Sequence, residues 1–417
     1  MSIATEITRL QGAKADIKSA IEAKGVTVPS NALIDTYDTY IEQIPTGGGS
    51  NVATSTITST GSKTYSQYTT PSTFAGTGAA TAYVGDILYY FGYLDSTNKA
   101  GAAKYDCTTG EYTVLNVTFQ DSEYYSTANG TSTIVIGTDI YLFGGLIGSG
   151  TTTNRMYKFD TTSDTLTYLG YMGIGNVCNA QLVHYGNCIY LIGGRTDLSA
   201  TQIFNKIGKY DITNNTIEQL SGPVLSGTYY MQGCCVVGNV VYIFGGYASG
   251  SGTTSVGQAS YKFDMTTETL TSITQLPSPR DGWSTYVNYG DYIYIFGGRT
   301  RGGAGYSTTS ILKYSITNNS YTTLTPTLPS YMTVRIGSIQ IGSKLCMVGG
   351  SYTSTYENNE AAIFDFTNDT IVNIYSAFQN YWFNNSTVVC GTDYMYCIPS
   401  GSASNNKLVQ KVVFDLS

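Results

Sequence analysis

A single histidine, His184, in 417 residues removes most of the chemistry that enzymes build on imidazole. A Ser-His-Asp or Cys-His arrangement has one possible base, and a His-rich metal site cannot be assembled. His184 lies in Gln181-Leu-Val-His-Tyr185, which reads as a strand, so a packed histidine in the core or between sheets is expected. Charge is scarce too. Charged residues make up 12% of the chain, and the balance of −7 comes without any basic run or patch, which argues against nucleic acid as a partner. Apolar runs never exceed strand length, so no transmembrane helix and no membrane insertion are expected. The start, Met1-Ser-Ile-Ala-Thr-Glu-Ile7, lacks the cationic opening and apolar core of a secretory signal, so folding in a cytoplasm is expected. Eight cysteines include no CxxC pair. Cys178, Cys188, Cys234, Cys235, Cys346, Cys390 and Cys397 fall in or beside predicted strands, as small apolar residues would.

What the chain does hold is a repeat. Tyr292-Ile-Tyr-Ile-Phe-Gly-Gly298 returns as Ile140-Tyr-Leu-Phe-Gly-Gly145, Ile189-Tyr-Leu-Ile-Gly-Gly194, Val241-Tyr-Ile-Phe-Gly-Gly246 and, degraded, Leu345-Cys-Met-Val-Gly-Gly350. The glycines that open the copies, Gly85, Gly137, Gly186, Gly238, Gly290, Gly342 and Gly391, are spaced by 52, 49, 52, 52, 52 and 49 residues. Each copy runs from an apolar or alternating stretch through a tight polar turn into the Gly-Gly stretch. A long polar connection, a Tyr/Phe-Asp pair, a Thr/Asn-rich turn and a fourth short run follow. Four short runs joined by turns predict a small antiparallel sheet. The second run is apolar on both faces, so the sheets must stack on one another radially.

Hydrophobic run, Gly-Gly and Tyr-Asp at this spacing resemble the kelch repeat over residues 76 to 417. That resemblance implies a mainly β fold, a seven-bladed kelch-like β-propeller. The chain departs from the family in the fourth strand, where Tyr112, Leu166, Ile217, Leu270, Tyr321 and Ile371 stand in place of Trp, and in the seventh copy, where Ile398-Pro399 replaces Gly-Gly. With one histidine, the copper site of the galactose-oxidase relatives cannot be present, and no cofactor or metal is expected. The seventh copy ends after its third run, while Val52-Ala-Thr-Ser-Thr-Ile-Thr58 precedes the first. The early run is expected to complete the last blade, since an unfilled blade leaves an open sheet edge.

Residues 1–46 are of another kind. Ile3, Ile7, Leu10, Ile17 and Ile21 alternate at spacings of four and three, with Lys14 in the one missing place, and Ile34, Tyr37, Ile41 and Ile44 continue the pattern after Gly25 and Pro29. Two short amphipathic helices result, which cannot bury their stripes alone. Self-association, with 47–51 as a Gly-rich linker and 52–417 as the propeller, is the expectation. The stretches Ala13 to Pro29 and Ile34 to Ile44 also resemble the N-terminal segment of bacteriophage tail, baseplate and head-fibre proteins. That resemblance implies a homotrimer, attachment to other virion proteins and a place in the virion.

Carboxylates have structural uses. The Asp after Tyr/Phe can bond backbone N–H groups in the next turn. Asp86, Asp139, Asp291 and Asp393 sit in the tight first turn. Glu357 and Glu360 have no carboxylate placed opposite them, so no catalytic set emerges. Variation collects in the connections from strand two to strand three and from copy to copy, which leave a propeller on one face. They carry Tyr93, Arg195, Tyr247, Arg299, Arg301, Tyr306, Tyr352 and Tyr356, and Tyr229, Tyr230, Trp283, Tyr331, Tyr381 and Trp382. Exposed rings and forked guanidinium donors suit a host-surface glycan or a polar protein. The expectation is a non-enzymatic phage receptor-binding fibre. A polysaccharide-degrading fibre or a structural virion decoration are the alternatives.

Overall fold

The structure is a computed structural model. It describes residues 57–64, 80–93, 100–109, 111–120, 125–126, 131–147, 151–196, 203–227, 231–247, 256–282, 284–301, 306–351, 360–374, 387–390, 394–398 and 408–414, together with Gln11, Lys14, Ala15, Ile17 and Lys18. The chain divides into two units, Met1–Thr56 with Asp415–Ser417, and Ile57–Phe414. In the first unit Gln11, Lys14, Ala15, Ile17 and Lys18 are helical, and Ile17 is 40% exposed. Ile3, Ile7, Leu10, Ile21, Ile34, Tyr37, Ile41, Ile44 and the linker 47–51 lie outside the described residues.

The second unit is built of four-stranded antiparallel sheets, seven among the described residues. Sheet one is Ala80–Val84, Ile87–Tyr93, Ala100–Asp106 and Tyr112–Leu115. Sheet two is Ser132–Ile136, Asp139–Phe143, Arg155–Asp160 and Thr165–Tyr171. Sheet three is Gln181–Tyr185, Cys188–Ile192, Ile207–Asp211 and Thr216–Gln219. Sheet four is Gly233–Val237, Val240–Phe244, Ser260–Asp264 and Thr269–Ser272. Sheet five is Thr285–Tyr289, Tyr292–Phe296, Ser310–Ser315 and Ser320–Thr327. Sheet six is Gly337–Ile341, Lys344–Val348, Ala361–Asp365 and Thr370–Ile374. Sheet seven combines Thr387–Cys390, Tyr394–Ile398 and Leu408–Phe414 with a strand from the start of the unit, Ile57–Thr64. That strand runs antiparallel to Leu408–Phe414, from Ile57 opposite Phe414 to Thr64 opposite Leu408. The sequence pattern had put the run at 52–58; residues 52–56 lie outside the described residues, and the pairing extends six residues further along. A short ladder of Tyr125–Ser126, Leu146–Ile147 and Thr151–Thr152 stands apart.

The repeated side chains make the core. In the second strands Ile140–Phe143 and Ile293–Phe296 are buried at every position, so both faces are covered, as two flanking sheets require. The ring that precedes the terminal Asp of each third strand packs against the second strand of the sheet before it. Phe159 meets Tyr89 and Phe91 at 5.4 Å, Tyr210 meets Phe143 at 5.4 Å, and Phe364 meets Phe296 at 5.1 Å. Across its own sheet the same ring faces the residue standing in place of the kelch Trp, as Phe159 does Leu166 and Tyr314 does Tyr321. Sheet seven meets sheet one: Tyr396 packs with Leu88 and Tyr105, and the Tyr394 hydroxyl donates to Asp86 Oδ1 at 2.5 Å.

The turn carboxylates hold backbone, as their position suggested. Asp160 Oδ1 accepts from Thr162 N at 2.8 Å and from the Thr162 hydroxyl at 2.6 Å, and Asp264 Oδ1 accepts from Thr266 N and Thr267 N. These bonds hold both carboxyls below the usual carboxylate range. Sheet five has Ser315 where the others have Asp. There Asp291, from the first turn, reaches over to accept from Thr317 N at 3.0 Å and from the Ser315 hydroxyl.

His184 departs from expectation. It is exposed, with Nε2 2.9 Å from Gly186 O, and stands two residues before the turn glycine, as do Tyr83, Val135 and Val236. Those three are 42%, 37% and 44% exposed. The strand reading was right and the face was wrong, because the first strand of each sheet turns one edge of its pleat to solvent.

Candidate functional site: an arginine and tyrosine cluster at the strand ends

The Gly-Gly pair decides what lies beside the strand ends. Gly245 and Gly297 have φ of 56° and 62°, and a Cβ on them would stand 2.0 Å from Arg280 O and 2.2 Å from Thr333 O. The missing side chain lets the incoming connection of the next sheet lie against the strand end. Gly246 N then donates to Arg280 O at 2.8 Å, and Gly298 N to Thr333 O at 2.6 Å. Residues just after a Gly-Gly pair, such as Tyr247 and Arg299, thereby gain neighbours such as Asp281 and Arg335 from the connection of the following sheet.

Three of the connections from strand two to strand three are also pinned at their base among the described residues. Arg195 bridges Ile203, Tyr247 bridges Val256, and Arg299 bridges Ser307. Thr300 adds two bonds to Tyr306 O, from its N–H at 2.7 Å and its hydroxyl at 2.9 Å. The variable loops therefore start from fixed stems.

At the Tyr247 hydroxyl three further polar side chains, Asp281, Arg299 and Arg335, converge. Asp281 is fully buried, and its Oδ1 accepts the Arg299 N–H at 3.0 Å. The Tyr247 hydroxyl is hydrogen-bonded with the Arg299 guanidinium, and Arg335 lies within electrostatic reach of both. Burial pushes the Tyr247 hydroxyl above its ordinary range; the Asp281 charge adds to the rise, while Arg299 and Arg335 oppose it. Burial, then the like charge of Arg299, pulls Arg335 down to about 10. Arg335 is itself left-handed at φ 56°. Beneath the cluster the buried Arg280 fastens the connection, donating to Ser278 Oγ at 2.7 Å, Pro279 O at 2.8 Å and Ser310 Oγ at 2.6 Å.

Of the residues the sequence nominated, Arg299 and Tyr247 are brought together. Arg301 and Tyr306 form a second, outer pair, with Cζ 5.2 Å from the ring centroid and Tyr306 47% exposed. Arg195 stands apart, its Nε donating to Asn179 Oδ1 at 2.9 Å. Tyr331 is exposed, as expected. Tyr247 corrects the expectation of an exposed ring: it is 6% exposed, because Val256 and Met231 cover it, and only its hydroxyl end belongs to the polar cluster. The Tyr93 backbone pairs with Ala100. Trp283, Tyr352, Tyr356, Trp382, Tyr229, Tyr230 and Tyr381 lie outside the described residues.

Arg335 and Asp281 escaped the sequence reading, which looked for rings in the sheet-to-sheet connections. A positional signal was available. Asn179, Met231 and Arg335 each stand seven residues before a turn glycine, and all three are left-handed, so that position recurs at the strand ends. Among the described residues no group of His, Cys, Asp and Glu is placed to hold a metal ion, and the six cysteines Cys107, Cys178, Cys188, Cys234, Cys235 and Cys346 are free thiols.

The fold has relatives. No curated protein matches the sequence. Among solved structures, one titled "Structure of YjhT" superposes with a TM-score of 0.46 at 16% identity, covering 59% of this chain and 83% of that one. The KLHDC2/KLHL20/DRC7 Kelch-repeats domain family matches residues 231–417. The Attractin/LZTR1 beta-propeller family matches residues 88–309, more than half of the sequence, and the chain belongs to that β-propeller family.

Proposed function

We propose that the chain is the receptor-binding fibre of a bacteriophage virion: a seven-bladed propeller that binds a host-surface glycan through its loop face, held as a trimer by residues 1–46. A kelch-type propeller is a scaffold for binding, and the observation that carries this reading is the loop face itself. Its stems are fixed by cross-bridges, the buried Asp281 bonds the Arg299 backbone, and Val256 and Met231 pack on the Tyr247 ring before any ligand arrives. Such preorganisation favours binding, since little order remains to be imposed.

The binding role is preferred over cleavage for a chemical reason. An eliminating or hydrolysing site needs a group that accepts a proton near neutral pH. Tyr247, the most buried phenol of the cluster, is held protonated by burial, so it donates hydrogen bonds. For the stem, the helical Ile17 leaves 40% of its surface exposed, as a seam residue awaiting a partner would. Trimerisation would multiply weak single-site binding by linkage.

The test compares the full chain with its Ile17→Asp, Ile21→Asp variant by analytical ultracentrifugation and on a host-glycan array. The expected outcome is a trimer that becomes a monomer and retains the glycan pattern at lower apparent affinity. A wild-type chain that sediments as a monomer ends the trimer reading, and an array without signal ends the glycan reading. Release of reducing or unsaturated ends from a bound glycan would move the assignment to an enzyme.

A further inference from the structure

We propose that the Arg301–Tyr306 pair is a stacking platform for one neutral hexopyranose ring of the glycan. This rests on the glycan-binding reading above and names the sugar class and the residues that meet it. The first argument is geometry. The Arg301 guanidinium stands over the Tyr306 ring, with Cζ 5.2 Å from the centroid, and 47% of Tyr306 stays open to solvent with the guanidinium in place. Each partner limits the rotation of the other, so an exposed arginine and an exposed phenol, both mobile when alone, are held in one arrangement before a ligand arrives.

The second argument is the stem beneath the pair. The two residues flank Gly302-Gly-Ala-Gly305 in sequence, and the chain is fastened next to both of them. Arg299 bridges Ser307, Thr300 gives its N–H and its hydroxyl to Tyr306 O, and Thr308 N donates to Gly298 O at 3.0 Å. From the connection that enters sheet six, the fully buried Thr333 hydroxyl lies 2.9 Å from Ser307 Oγ and donates to Ser351 O at 2.7 Å. The platform therefore stands on a base tied both within sheet five and to the sheet that follows.

The third argument chooses the occupant. From Arg299 to Ser310 the chain holds no Leu, Ile, Val, Met or Phe; apart from the two arginines and Tyr306 it is Thr, Ser, Gly and Ala. A protein partner is gripped where a ring sits in a well-packed, desolvated apolar centre, and this stretch has no residues to build one. A sugar ring asks for less. Its C–H face carries partial positive charge that meets the negative face of a single aromatic ring, while its hydroxyls accept from the guanidinium and exchange bonds with Thr and Ser hydroxyls at the edge. Neutrality follows from the charge of the chain: −7 opposes the approach of an acidic polysaccharide, and stacking on a phenol needs no charge on the ligand.

The experiment probes an array of neutral and acidic glycans, at low and at high salt, with the full-length wild type and its Tyr306→Ala, Tyr306→Phe and Arg301→Gln variants. Signal on neutral members that persists at high salt is the expected result. Tyr306→Ala should weaken it about tenfold, Tyr306→Phe, which keeps the ring, by no more than about threefold, and Arg301→Gln by an amount between the two. Both side chains are exposed, so the variants should fold, and unfolding midpoints matching the wild type check this. Binding by a folded Tyr306→Ala at wild-type strength overturns the platform and leaves the glycan reading standing. Signal confined to acidic members and lost at high salt overturns it as well. No binding of the wild type to any member overturns both. The comparison of neutral with acidic members at two salt concentrations uses only the wild type, so the platform stays open to refutation even where a variant fails to fold.

Discussion

Between sheets one and two, three and four, and five and six, a lysine on the third strand of the first sheet reaches an acid in the last turn of the second. The pairs are Lys104 with Asp164 at 2.5 Å, Lys209 with Glu268, and Lys313 with Asp369 at 2.6 Å. Between sheets two and three, and four and five, the corresponding turn position holds Asn215 and Asn319. There the contacts are neutral: the Tyr210 and Tyr314 hydroxyls donate to the asparagine Oδ1 atoms at 2.9 Å, Asn215 Nδ2 donates to Leu169 O, and Asn319 Oδ1 accepts Thr274 N. The core rings alternate as well, with Phe159, Phe263 and Phe364 in the charged seams and Tyr210 and Tyr314 in the neutral ones. All five turn residues are left-handed, with φ from 48° to 55°, so the backbone is common and the chemistry differs.

The difference teaches that the structural unit is a pair of sheets. Measured over pairs, the opening glycines Gly85, Gly186, Gly290 and Gly391 are separated by 101, 104 and 101 residues. The alternation is not carried through all seven sheets of the described residues. The seam from sheet seven to sheet one is of the tyrosine type, with Tyr105 against Tyr396. In sheet six the lysine position is taken by Ile363.

The largest effect tests what the two seam types share. Phe263→Ala in a charged seam and Tyr314→Ala in a neutral one should each cost about 3–5 kcal/mol, since each empties a site that is at most 1% exposed. Denaturant unfolding of the two variants measures it. A cost confined to one seam type would show that the apolar contacts are not equivalent and that the polar partners dominate.

The fold was legible because its signals repeat. Gly-Gly, Tyr/Phe-Asp and an apolar second strand report backbone requirements that recur in copy after copy. The doubled period was equally present in the sequence. The turn position reads Gly110, Asp164, Asn215, Glu268, Asn319 and Asp369, alternating neutral and acidic. A single-copy period aligns those residues as one variable column and hides it. The site was half legible. Arg299 stands out after its Gly-Gly pair, but Arg335 and Asp281 reach it only because glycine lets the next connection lie against the strand end, a contact between copies. The burial of Tyr247 depends in the same way on Met231 and Val256, residues with no mark of their own in sequence.

A smaller effect distinguishes the neutral seam. Asn319 serves three groups at once: its Oδ1 accepts Tyr314 and Thr274 N, and its backbone O accepts the Thr274 hydroxyl at 2.7 Å. Asn319→Ala leaves two donors without their acceptor and puts alanine in a left-handed turn, for a cost of about 1–3 kcal/mol. Asn319→Asp keeps both acceptor positions and the turn conformation and, with Lys262 at the corresponding third-strand position of sheet four, should cost little. Unfolding free energies of the two variants make the comparison, and a larger penalty for Asp than for Ala would show that the neutral seam excludes charge.

The smallest effect belongs to the charged seam and is read through pH. Asp164→Asn keeps the left-handed turn and an acceptor for Lys104 and removes only the negative charge; for a partly exposed pair the cost is about 1 kcal/mol or less, reduced by salt. The hydrogen bond to Asp164 is the main reason the Lys104 ammonium is held above its ordinary range in the folded chain. A folded pKa raised above the unfolded one means that the folded state holds its proton longer. The stabilisation is therefore complete below the unfolded lysine value and is lost as pH rises through the folded one. Wild type should exceed Asp164→Asn in unfolding free energy by a constant margin across the neutral range. The margin should close on the alkaline side, above the ordinary lysine range, and Asn215→Asp, where the corresponding lysine Lys158 is already paired with Asp139, should show a smaller closing. A margin that persists after Lys104 has lost its proton would assign the seam's preference for acid to the turn conformation and remove the ion pair from the account of why the sheets alternate.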